Sequence, residues 1–167
     1  PHAVEPLEAL RGGRWIRTRV RGDEELLEIY HDRLRETIVA LMPKDQLPAI
    51  HTRVALAREP EGEADAEALA EHFQQAGERA IAARHAVRAA TTAAEQLAFD
   101  RAARLCRLSL ELGEFTDAER RALRTRLGEA LANAGRGEDA ARAFLSAAEG
   151  AGSDESLELR RRAAERF

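Results

Sequence analysis

A chain of 167 residues can hold one domain, or two small ones, around a core that needs no staples. The set AVILMFWYC makes up 44% of it but aromatics only 4%, so alanine and leucine carry the apolar content and favour helices packed through small side chains. The formal net charge of −4 argues against a polyanion partner. The single cysteine, Cys106, excludes an internal disulfide and a multi-cysteine zinc site, and no run reaches the ~18 apolar residues of a membrane span.

The chain opens at Pro1 with no signal-peptide pattern, and Met42 is its only methionine. These features read as an interior segment of a longer cytoplasmic protein. Val4 to Leu10 has the pattern of a helix end, stopped by Gly12 and Gly13. From Trp15 the apolar period becomes two. Ile16, Thr18 and Val20 share one face, Arg17 and Arg19 the other, and the turn signal of residues 21–24 is followed by Leu27 and Ile29. A β-hairpin is predicted at about 14–30.

Helix follows from there on. Leu34, Ile38, Leu41 and Met42 repeat at helical spacing over about 32–42, until Pro43. Leu47, Ile50, Val54 and Ala57 form the stripe of the next helix, and residues 60–63 read as a loop. Asp65 is a cap candidate for a helix running to Ala76, with Leu69 and Phe73 inward and Gly77 behind it. Helices over about 79–96 and 98–112 precede Gly113. Thr116 and Glu119 stand three apart, as a capping box requires. Leu123, Leu127, Ala130 and Leu131 line the helix after it. Residues 135–137 form a tight turn, 138–149 are helical, and Ser153 is placed to cap a last helix.

Helices of this length joined by short glycine-bearing turns prompt a search for repeats. Residues 123–150 resemble a tetratricopeptide repeat: Leu127-Gly128 falls on the motif's Leu-Gly pair, Leu131 on the large position after it, and Ala140, Phe144 and Ala147 on the Ala, aromatic and Ala positions of the second helix. The expected packing sets Gly128 against Ala140 where two backbones approach, with Phe144 filling the wedge toward the neighbouring hairpin. Leu69, Phe73, Gly77, Ala82 and Ala89 repeat the offsets, with Ala86 in the aromatic position. Ala102, Cys106 and Ser109 give a third trace. One such unit cannot bury its own face, so the units must stack.

Catalytic candidates are poor. No pair among His2, His31, His51, His72 and His85 has the H-E-x-x-H spacing of a zinc site. His72 and His85 are expected on solvated polar faces, and His51 partly buried. Cys106, flanked by Leu105 and Leu108, is expected to be buried and inert despite Arg104 and Arg107 nearby. Arg11, Arg14, Arg17, Arg19 and Arg21 form an acid-free run. On a hairpin wing, Arg14, Arg17 and Arg19 are candidate nucleic-acid contacts; the alternative is a solvated strand face answering Glu24, Glu25 and Glu28 across the turn.

Tyr30-His31-Asp32-Arg33 sets a histidine between a strand end and a helix start, where backbone N–H groups point outward and favour an anion. With the hairpin before it, the run over about 4–42 resembles the end of the winged-helix domain of STAND-type signalling ATPases, some of them fused to bacterial serine/threonine kinases. The resemblance implies that His31, with Arg33 beside it, senses the phosphates of ATP or ADP in a parent protein. It implies no cofactor for this segment, since no phosphate loop is present; a helix-capping histidine is the alternative.

The expected architecture is mainly α: a winged-helix remnant with a short β-hairpin over 1–42, then antiparallel helical hairpins of tetratricopeptide type, an α-solenoid, over 43–167. The expected function is a non-catalytic regulatory scaffold, whose partners are proteins or neighbouring domains of the same chain rather than nucleic acid or membrane. The competing expectation is a winged-helix nucleic-acid-binding regulator with a helical dimerisation tail.

Overall fold

The computed structural model describes residues 4–21, 24–58 and 66–166. The elements run α1 (Val4–Gly12), β1 (Ile16–Arg21), β2 (Glu24–Ile29), α2 (Asp32–Leu41), α3 (Leu47–Arg58), α4 (Ala66–Gln75), α5 (Arg79–Glu95), α6 (Phe99–Leu112), α7 (Asp117–Asn133), α8 (Gly137–Ala148) and α9 (Ser153–Ala164). The protein is mainly α with one small β-hairpin, as the composition and periodicities predict. Of the expected features, the turn at 22–23, the loop at 60–63, Asp65 and His2 lie outside the described residues. The chain divides into two compact units, Pro1–Leu47 and Pro48–Phe167.

In the first unit, β1 and β2 pair antiparallel with Ile16 opposite Ile29 and Arg17 opposite Glu28. The Tyr30 N–H donates to the Trp15 carbonyl at 2.9 Å and closes the open end of the hairpin. The end of α1 departs from expectation. Gly12 is still helical, and Arg14 takes the left-handed conformation that stops the helix, with φ of 55°. Its N–H bonds the Arg11 carbonyl, while the N–H of Trp15 reaches the Leu10 carbonyl, the double bond of a Schellman cap. Gly13 serves space instead: a Cβ there would collide with the Trp15 indole.

The same cap recurs three times in the second unit. Gly77, Leu97 and Gly135 have φ of 83°, 59° and 74°. The residues after them bond back to the carbonyls of Phe73, Ala93 and Leu131 at 2.8–2.9 Å. Each of those residues also begins the next helix, accepting the N–H of Ala82, Ala102 or Ala140 at 2.9 Å. Three helix junctions thus share one geometry, and the Ala five residues after each left-handed position is wholly or almost wholly buried. The left-handed residues are 20 (97 − 77) and 38 (135 − 97) apart, the second interval spanning the α6–α7 link as well. The α6–α7 link differs: Gly113 is extended, and the Thr116 capping box starts α7, with the Thr116 N–H donating to Glu119 at 2.8 Å.

Small side chains build the core of this unit. Ala90, Ala93, Ala102, Ala103, Ala140, Ala141 and Ala147 pack with Leu105, Leu131 and Phe144, while Ala55, Leu69, Phe73, Ala82, Ala83 and Leu112 form a second cluster at the α3–α4 end. At the start of α9, Gly152 is the N-cap and Ser153 the first helical residue. Ser153 is therefore not the cap its residue type predicts; it sits one position too late, with its hydroxyl 3.4 Å from Asp154.

Candidate functional site

Arg17 and Arg19 of the hairpin are committed within it. Register puts Arg17 directly across from Glu28 and Arg19 diagonal to it, on one face. Arg17 Nε donates to Glu28 at 3.1 Å and Arg19 Nη1 at 3.3 Å. The Arg19 hydrogen bond, aided by that from Arg17 and by both charges, holds the Glu28 carboxyl below its ordinary pKa despite some desolvation. The solvated strand face answering an acid across the turn is what forms here. Arg14 stands apart at the left-handed junction, exposed.

His31 occupies the N-cap position of α2 with extended backbone, φ −134° and ψ 130°, but its side chain makes no capping hydrogen bond. The exposed ring instead meets Tyr30 edge-on, centroids 4.8 Å apart. Arg33, the second residue of α2, is exposed, and its carbonyl accepts the Thr37 hydroxyl at 2.8 Å. His31 and Arg33 thus share a helix start, while Arg14 precedes β1 and Arg17 and Arg19 lie within it.

The repeat-packing residues converge in the second unit. Leu131, Ala140, Phe144 and Ala147 are at most 1% exposed, and Leu127 is buried beside them. The partner of Gly128 is corrected. A Cβ there would meet three carbons of the Phe144 ring at 2.7–3.0 Å, so the glycine makes room for this ring and not for Ala140. The ring also receives the Arg162 guanidinium of α9 at 4.4 Å, and Arg162 donates to Glu129 of α7 at 3.0 Å.

Two of the five histidines depart from expectation. His85 is buried, not solvated, and its ring stacks on Phe73 with centroids 5.3 Å apart and planes 11° off parallel. The cause is topological. Helix α5 packs against both α4 and α6, so it buries more than one stripe, and the flanking arginines do not mark the limits of its polar face. His72 is half-buried, its Nδ1 3.0 Å from Nδ1 of the half-buried His51. Cys106 is 2% exposed. Burial raises its pKa against a smaller lowering by the Arg126 charge, which suits an inert core thiol.

Sequence reading missed a cavity of about 310 Å³ between α5, α6 and α7. Ala90 and Ala94 of α5, Ala102 and Cys106 of α6 and Ala130 of α7 give it an apolar lining, while Thr91, Arg126 and Glu129 add polar groups. Arg126 Nη1 lies 3.5 Å from the Thr91 hydroxyl, spanning from α7 to α5. The signal lay in the alanines at 90, 94, 102 and 130, too small to fill the space between three helices, but in an alanine-rich chain such residues mark close packing and cavities alike. Comparison with protein-family models, with curated proteins and with solved structures finds no match to this chain.

Proposed function

We propose that this chain is a non-catalytic protein-interaction scaffold whose helical unit holds a segment of a protein partner, or of a neighbouring domain, in the groove between α5 and α7. The groove itself carries this reading: about 310 Å³, apolar alanines within and Thr91, Arg126 and Glu129 among its polar groups. Such a mixture suits one anchoring side chain from an otherwise polar segment. The repeat-like placing of Leu127, Gly128, Leu131, Ala140, Phe144 and Ala147 supports a stacked helical scaffold. The resemblance over 4–42 supports membership of a larger signalling ATPase or kinase, in which His31 and Arg33 face nucleotide. Pairing of Arg17 and Arg19 with Glu28 weighs against a nucleic-acid-binding wing, because both cations already have a carboxylate.

A photo-crosslinking amino acid placed at Thr91 tests the scaffold reading in cells that make the full-length protein. A discrete protein adduct at Thr91, absent from the same probe at exposed Arg142 and lost when Asn133 of the groove is replaced by Trp, is expected. Equal labelling at both sites, or none at Thr91, would reject the groove as the interaction surface.

A further inference from the structure

We propose that a second cavity, between α3, α4 and α5, is a binding site for a small apolar carboxylate, an aromatic or long-chain organic acid. This goes beyond the scaffold reading and does not depend on it. The cavity is about 370 Å³ and is lined by Leu56, Phe73, Ile81, Arg84, His85 and Arg88. That volume lies in the range of small-ligand sites.

Its lining separates into two chemistries. Phe73 and His85, 2% and 5% exposed, stack in parallel and present aromatic surface, and Leu56 and Ile81 add aliphatic surface. Leu56 is 55% exposed, a large apolar side chain that the fold itself leaves uncovered. Arg84 and Arg88 follow one turn apart on α5, exposed, so their like charges repel. Among the described residues no acid belongs to the lining, and neither guanidinium has an ion-pair partner. Several arginines of this unit do have a carboxylate: Arg101 and Arg104 share Glu67, Arg136 meets Asp139, Arg161 meets Glu158 and Arg162 meets Glu129. Two guanidiniums present planar N–H forks suited to a carboxylate, and the apolar wall beside them takes the body of the acid.

Titration calorimetry of the full chain with 2-naphthoate tests this. Binding is expected, with 2-naphthylmethanol, the neutral analogue, on the order of ten-fold weaker or worse because it forms no charge-assisted hydrogen bonds. The double variant Arg84→Ala/Arg88→Ala is expected to lose a similar factor while its circular dichroism and melting temperature stay unchanged, since both side chains are exposed. Ile81→Asp keeps both cations and is expected to lose binding through the apolar wall alone. Absence of naphthoate binding at millimolar concentration, equal affinity for the alcohol, or undiminished affinity in the double variant would each overturn the proposal. So would equally tight binding of inorganic phosphate, which would mark a bare cation pair with no use for the apolar wall.

Discussion

In residues 1–47 large apolar side chains stand exposed or half-buried: Val20 is 68% exposed, Leu41 79%, and among the residues whose burial is described none is buried. In residues 48–167 the core is mostly alanine, set between helices that meet through three copies of one junction. Area buried, not side-chain size, supplies hydrophobic stabilisation. Alanines that let helices approach closely therefore hold the second unit together better than half-buried or exposed leucines and valines hold the first. The difference teaches that hydropathy alone ranks these regions in the wrong order.

Removing the one large ring from the alanine core should produce the largest effect. Phe144→Ala is expected to destabilise by ~3–5 kcal/mol, whereas Arg142→Ala, exposed and paired with Glu138 and Asp139 on its own helix, should stay within about 0.5 kcal/mol. Chemical denaturation of both variants checks this, and equal midpoints would break the account of α8. Gly128→Ala follows in size. Its methyl would press on the Phe144 ring, and overpacking of this kind costs ~1–3 kcal/mol. A neutral or stabilising result would mean that the ring has room to move.

An effect of pH should come next, read on Glu67 of the helical unit. Burial alone would raise the pKa of Glu67, but hydrogen bonds from Arg101 and Arg104 outweigh it and hold the carboxyl below its ordinary value of 4.5. A depressed folded pKa contributes stability above the unfolded value, lost as pH falls through the folded one. Denaturation midpoints of the wild type should therefore fall below about pH 4.5 more steeply than those of Glu67→Gln. Parallel acid limbs would show that this bridge between α4 and α6 contributes nothing.

The smallest effect should be a gain. Leu97 holds a left-handed conformation where the matching junctions have glycine, and its side chain is 72% exposed. Leu97→Gly relieves ~1 kcal/mol or more of backbone strain against ~0.5–1 kcal/mol of added chain entropy, a net stabilisation of about 0.5 kcal/mol. Thermal unfolding should detect a small rise in Tm; a fall would mean that Leu97 makes contacts its exposure hides.

Much of this was legible in the residues. Period-two alternation from Ile16 to Val20 gave the hairpin, and the Thr116–Glu119 spacing gave the start of α7. The Ala-x3-aromatic spacing of Ala140 and Phe144 marked the buried face of α8. The misses share a cause: they depend on a neighbour that periodicity does not reveal. His85 reads as solvated among arginines until α5 is known to lie between two helices. Gly128 reads as a helix–helix contact until the Phe144 ring is seen above it. Leu97 carries no turn signal, since leucine is a poor left-handed residue that only the surrounding packing holds in place. The apolar cavity beside Arg84 and Arg88 was invisible for the same reason, because its walls come from three helices.

Native-state hydrogen exchange followed residue by residue tests the contrast between the two units most directly, since local opening reports how much packing each segment has. The account predicts that amides around Ala86, Ala103, Leu131 and Phe144 exchange most slowly and together. Those of β1, β2 and α2 should exchange at least about a hundred-fold faster, as expected of segments with few buried contacts. Protection in the hairpin and α2 equal to that of α6 and α8 would contradict the claim that the alanine-packed helices hold the stability of this protein.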